Sequence, residues 1–386
     1  MLAGSLTPRL HEQMVRLGSW IPSFRQAAGV LADFTGVFVS EASSRRYTEQ
    51  AGAACVTVEE AFVNQIEREM PPPPIGVAKL QMSVDGVMVP LVGGEWAEVK
   101  NLVIGEIGDP VQERGEQVVH LTTLSYFSRL STSDAFQRQT LGETHRRGVE
   151  SAKTVAAVND GAEWIPGFVN YHRPDAVSIL DFPHASEYVS EIGQASFGAE
   201  ANRPWLAKQL HTLKHKGCEP VLTELRALVA QHPEQADALN YLEKRKPQMD
   251  YPTFQAAGLP IGSGCVESGN KLVVEARLKG SGMHWARPHV DPMLALRNVV
   301  CNDRWEEDWP AIARTLRNQS RRPRPACPVQ PANPKPFLPL PPPARPEPPL
   351  PVIPPAPTQD PSAPRSRRPA ANHPWRHSPI GKAAYA

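Results

Sequence analysis

The chain has 386 residues, 42 of them proline, and a formal net charge of +1. From Arg321 onward ten of the 41 Lys and Arg stand against two of the 40 Asp and Glu, so that tail carries +8 and the first 320 residues carry −7. An acidic body excludes a uniformly basic nucleic-acid coat, so phosphate-binding charge has to be concentrated locally or in the tail. No apolar run reaches the ~18 residues that a membrane span needs.

Residues 1–70 read as a small helical domain. In LTPRLHEQMVRLGSW, Leu10, Met14 and Leu17 recur at helical spacing after a Thr-Pro start. SFRQAAGVLADFTG then ends at a glycine, and SEASSRRYTEQAG opens with a serine cap and a glutamate. A helix, a glycine link and a helix bearing Arg45 and Arg46 suit a DNA-contacting helix-turn-helix, and equally a packing or dimerisation unit. The four prolines Pro71 to Pro74 mark a boundary.

Beyond it the texture changes to strands: KLQMSVDGVMVPL, WAEVKNLVIGEI and QVVHLTTLSYFSRL, separated by polar turns, as in an antiparallel meander. A helix follows, then strand TVAAVND, helix AEWIPGFVNYH, strand AVSILD and a helix beginning FPHASEYVSEI. Three antiparallel strands followed by alternating helix and strand is the order of a ribonuclease-H-like α/β layer. That core is expected over 75–184, with an all-helical insertion over 185–258 and its final helices over 259–320. The tail, 321–386, holds 22 of the 42 prolines and reads as semi-rigid, polyproline-like or disordered. Cys55, Cys218, Cys265, Cys301 and Cys327 include no CxxC. With no signal peptide ahead of them, a reducing cytoplasm is the expected compartment.

Three acids carry the chemistry. Asp85 stands in a strand whose Leu80, Met82 and Val84 point one way and Gln81, Ser83 and Asp85 the other. An acid there is expensive to bury unless paired or metal-bound; a tight Asp-Gly hairpin turn is the alternative. Asp160 follows the apolar strand TVAAV, at the carboxyl end where ligands collect in α/β sheets, or caps an Asn-Asp-Gly turn. Glu267 falls in the first turn of a helix after Gly262, Ser263 and Gly264, a loop able to accept an anion. Lys271, Arg277 and Lys279 follow it as candidate phosphate contacts, unless they are merely the wet face of a capped helix. Asp181 and His184, in ILDFPHASEYV, suit either a metal-ligand pair or a structural bond orienting the imidazole, supporting the acids. Gathered carboxylates are hard ligands for Mg²⁺ or Mn²⁺, and two such ions about 4 Å apart stabilise both oxygens of a phosphodiester displacement.

The blocks VDGVMVP, GEWAEVKNLVIGE, VNDGAEWI, ILDFPHASEYV, GSGCVESGNKLVVEARLKGSGMHW and NDRWEEDW together resemble insertion-sequence transposases of the DDE type, in particular the ISKra group, and more loosely Mutator-like transposases. The resemblance covers about residues 1 to 320, and HPWR of the tail shares it. It implies catalytic, metal-holding acids at Asp85, Asp160 and Glu267, two Mg²⁺ or Mn²⁺ ions, and the acid-x-x-His signature at Asp181 and His184. It further implies transposon-end and target DNA as partners, and assembly of copies on DNA. Relatives of this type commonly begin with a cysteine-rich segment, and this chain starts at the helices, so a shortened copy is expected. A nuclease that cleaves without joining strands, or a DNA-binding remnant without catalysis, are the alternative functions.

Overall fold

The computed structural model describes residues 6–321, position 114 excepted. The proline-rich tail therefore lies, apart from its first residue, outside the described residues. Three side-chain caps start the chain's first helices. Thr7 accepts the Leu10 N–H ahead of α1 (Pro8–Trp20), Ser23 that of Gln26 ahead of α2 (Phe24–Thr35), and Ser40 that of Ser43 ahead of α3 (Glu41–Glu69). Gly36, at φ 70°, ends α2 in the left-handed region.

The sheet follows. β1 (Lys79–Pro90) and β2 (Trp96–Ile107) pair antiparallel, and β5 (Leu121–Arg129) pairs antiparallel with β2. The long polar turn expected between the second and third strands forms a hairpin of its own, β3 (Val111–Glu113) with β4 (Glu116–Val118). After the short helices α4 (Ser133–Gln139) and α5 (Leu141–Arg146), β6 (Thr154–Asn159) runs parallel to β1. α6 (Ile165–His172) then leads to β7 (Val177–Leu180), parallel to β6. The result is a mixed α/β sheet in the order β5-β2-β1-β6-β7.

Alternation along β1 divides the packing. Leu80, Met82 and Val84 pack with Phe136, Val149 and Phe168 beneath α4 and α6. On the other face Val87 and Val89 meet helices that come much later in the chain. Between lie the helices of the expected insertion: α7 (Phe182–Lys216), broken at Gly198, then α8 (Glu219–Val229), α9 (Ala236–Lys244) and α10 (Tyr251–Ala256). They bury Val189, Leu225, Leu242 and Tyr251 against Val158 and Ile179 of the sheet. The excursion is closed at its base, where the Phe182 N–H donates to Ile261 O at 2.9 Å.

α11 (Gly264–Gly269) continues through a π-helical stretch, Asn270–Glu275, into α12 (Ala276–Leu278), and α13 (Arg287–Cys301) and α14 (Trp305–Arg321) complete the described chain. α13 covers the outer edge of β5. Asn298 Oδ1 accepts the Ser128 N–H at 3.0 Å, and Asn302 Oδ1 accepts that of Tyr126 at 2.7 Å, so the edge offers few free amides to another strand.

The first 70 residues do not hold a core of their own, contrary to the expectation of a separate helical domain. Met14, Leu31, Ala51 and Cys55 pack with Leu296 and Val299 of α13 and Trp305 and Ile312 of α14. Gly52 permits the closest crossing, because a Cβ there would stand 2.1 Å from the Pro292 carbonyl oxygen. The amphipathic pattern of α1 to α3 signals an apolar face without saying which later helix covers it. Among the described residues no helix is long and apolar enough to cross a membrane.

Candidate functional site

β1 passes straight through Asp85 and Gly86, which rules out a hairpin turn there. A Cβ at Gly86 would sit 2.1 Å from Glu98 Oε1 on β2, so a larger residue there would displace the half-exposed Glu98 side chain. The Gly86 N–H donates to Asp85 Oδ1 at 2.7 Å. Gln81 and Ser83, on the same face of β1, are fully buried beneath α11, where Gln81 Nε2 donates to Gly262 O at 3.3 Å. This row is polar from the core outward and ends at the half-buried Asp85.

Register brings the second acid alongside. β1 and β6 pair from Lys79↔Thr154 to Met82↔Ala157, and continuing it sets Asp85 level with Asp160. Neighbouring strands run about 4.8 Å apart. Asn159 ties the two ends together, its Oδ1 accepting the Val84 N–H at 2.7 Å. Asp160 Oδ1 accepts the Ala162 N–H at 3.0 Å, so the acid stands at a strand's carboxyl end and also shapes the turn after it. α9 clamps that turn: the Tyr241 hydroxyl donates to Asp160 O, and Arg245 Nε donates to Gly161 O at 3.2 Å. A side chain at Gly161 (φ 78°) would meet Arg245 Nε at 2.5 Å.

The third acid arrives on α11. Glu267 is exposed and accepts from Ser263 Oγ at 3.2 Å. One turn on, Asn270 Nδ2 donates to Asp85 Oδ2 at 2.7 Å, which fixes that face of the helix over β1. Burial, and then the negative charges of Asp160 and Glu267, push the Asp85 carboxyl above its ordinary range; the bonds from Gly86 and Asn270 oppose them. The three acids thus gather from a strand, a post-strand turn and a helix into one field of negative charge. Among the described residues no three His, Cys, Asp or Glu side chains are drawn in to ligand distance of a common point. Three carboxylates are the donor type that a hard divalent cation takes.

Other expected site residues take different places. Asp181 is buried and caps α7: its Oδ2 accepts the His184 N–H at 2.9 Å and its Oδ1 the Ser263 N–H at 2.7 Å. The carboxylate therefore orients backbone, not the imidazole as one reading expected. It is also the anion that the Gly262–Gly264 loop accepts, so that loop has no Ser263 N–H left for a phosphate. His184 Nδ1 stands 3.4 Å from Glu187, its ring near Tyr188 and Tyr241.

Arg277 corrects the expected phosphate face. It is 0% exposed, its Nε and Nη2 donating to Gly18 O at 3.1 Å each. Arg277 continues the i, i+3, i+4 file of buried Val266, Asn270, Val273 and Val274, so it belongs to the covered face of this helix, whereas Lys271 and Lys279 lie off that file. Lys271 and Lys279 are exposed, the latter bonded to Glu275 at 2.7 Å. Arg45 and Arg46 are exposed on the first turns of α3, Arg45 facing Glu49 at 4.0 Å and Arg46 lying over the Tyr47 ring. Reading for charge missed Asn101, Asn159, Tyr241, Arg245 and Asn270. Only Asn270 carried a usable signal, its i+3 spacing from Glu267.

Compared with known proteins, the chain matches no protein-family model and no curated relative.

Proposed function

We propose that the chain is a metal-dependent DNA strand transferase, a DDE transposase of insertion-sequence type with a ribonuclease-H-like core. The observation that supports this reading is that Asp160, level with Asp85 where β6 ends, and Glu267, on the helix after the helical excursion, both stand near enough for their charge to act on the Asp85 carboxyl, in a sheet ordered β5-β2-β1-β6-β7. In that reading Asp85, Asp160 and Glu267 hold two Mg²⁺ or Mn²⁺ ions. When bound, the ions supply the charge that activates water and steadies the departing oxygen of a phosphodiester. The chain's own contribution is position. β1 and β6 carry two of the acids at the same level, α11 brings the third within electrostatic reach of Asp85, and Tyr241 and Arg245 hold the second acid's turn. Transposon-end and target DNA are the partners, with exposed Lys271, Lys279, Arg45 and Arg46 as phosphate contacts. Copies assemble on DNA, and the cytoplasm is the compartment.

The test is cleavage and joining of end-bearing DNA with Mg²⁺ present. Asp85→Asn, Asp160→Asn and Glu267→Gln are each expected to lower cleavage at least ~10³-fold while DNA affinity, which rests on Lys and Arg, changes less than about twofold. Cleavage surviving any one substitution removes that residue from the set. Cleavage by the wild type without strand joining leaves a nuclease instead.

A further inference from the structure

Asn270 is the first residue of the π-helical stretch and is only 7% exposed. Behind it runs a file of buried polar side chains. Ser128 Oγ on β5 donates to Asn101 Oδ1 on β2 at 2.7 Å, and Asn101 Nδ2 donates to Asn270 Oδ1 at 3.1 Å. Asn270 Nδ2 then donates to Asp85 Oδ2 at 2.7 Å. Asn101 and Ser128 are both 0% exposed. Every donor in the file points the same way, from the sheet's edge strand to the acid. A carboxamide has one accepting and one donating end, so a hydroxyl donor behind Asn101 turns both amides to present N–H forward.

The helix has to lie very close to β2 for this contact. Gly269 provides the approach: a Cβ there would be 2.7 Å from Val103 Cγ2 and 3.0 Å from Asn101 Nδ2. Asp85 is then held at both oxygens, Oδ1 by the Gly86 N–H and Oδ2 by Asn270. Two bonds on different oxygens fix the carboxylate plane, which a single bond leaves free to turn. We infer that Asn270 is a positioning residue that orients the Asp85 carboxylate toward Asp160 and Glu267 and thereby sets the protein's affinity for a divalent cation. This inference rests on the metal-site reading above, though not on what the site cleaves.

The measurement is Mn²⁺ binding by titration calorimetry on the full chain, with melting temperature recorded alongside. Asn270→Leu is expected to weaken Mn²⁺ binding about 10-fold or more, as loss of a ligand's supporting partner does elsewhere. Ser128→Ala, which keeps the backbone bonds to Asn298, should weaken it about threefold, and it decides the matter if Asn270→Leu fails to fold. Asp85→Asn, removing the ligand itself, should abolish the strongest site. Folded Asn270→Leu and Ser128→Ala chains with wild-type affinity, beside an Asp85→Asn chain that has lost binding, overturn the positioning role and leave the metal site standing. A wild-type chain that binds no Mn²⁺ removes the metal site, and the positioning role with it.

Discussion

Arg277 lies between two aromatic rings, its guanidinium carbon 4.6 Å from the Phe24 centroid and 5.1 Å from that of Trp285. Burial, with Arg297 nearby, pulls its pKa down to about 10, so it remains charged at neutral pH. A buried cation bonded to a carbonyl contributes through those bonds and through the packing of its stem. Arg277→Ala is therefore expected to lower unfolding free energy by about 3 kcal/mol and to leave DNA affinity nearly unchanged. Lys271→Ala with Lys279→Ala should do the reverse. Chemical denaturation paired with a DNA-binding isotherm separates the two, and a weakened but equally stable Arg277→Ala chain would restore Arg277 to the phosphate face. By charge alone these three cations look alike. Helical spacing from Val273 and Val274 puts Arg277 on the apolar face, away from Lys271 and Lys279, but no local pattern announces the aromatic rings of Phe24 and Trp285 that meet it there.

The short helices beneath the sheet carry a different sensitivity. His172, on α6, is buried among Thr140 and Thr144, whose hydroxyls stand 2.9 and 3.2 Å from its two ring nitrogens. Burial lowers its pKa from 6.5 to about 4, so between those values the unfolded chain binds a proton that the folded chain refuses. Stability tied to this group is complete above about pH 6.5 and is lost as pH falls through about 4. The loss is on the order of 3 kcal/mol. Urea unfolding at pH 7 and pH 4.5 should show a smaller acid loss for His172→Gln than for the wild type; equal losses would place the acid sensitivity elsewhere. Elements of this kind were legible as elements, because AEWIPGFVNYH and AVSILD each keep one periodicity from end to end. The β3–β4 hairpin was not: its strands are three residues each and exposed, with no buried face to write an alternation. The acids were legible for the opposite reason, since a carboxylate beside an apolar strand is conspicuous, whereas the neutral Asn101–Asn270 file that steadies one of them leaves no such mark.

At the scale of the molecule, the described residues form one compact unit in which the chain's first helices and its last ones complete each other. Trp305 is 2% and Ile312 0% exposed, and both owe that burial in part to α1 and α3. Arg277 and Arg297 extend the union by donating to Gly18 O and Ser19 O at the end of α1. Helices that share a core in this way cannot act as a detachable reading head. Removing residues 1–70 would expose the apolar faces of α13 and α14 and take the Gly18 carbonyl from Arg277 and the Ser19 carbonyl from Arg297, losses that together compare with the ~5–15 kcal/mol that stabilises a typical domain. The expected result is a truncated chain that fails to fold cooperatively, and an isolated 1–70 fragment with little helix. Circular dichroism of the two pieces apart and mixed makes the comparison, since mixing should recover helix that neither piece has alone. A 1–70 fragment that melts in its own sharp transition would instead re-establish the separate helical domain expected from its sequence.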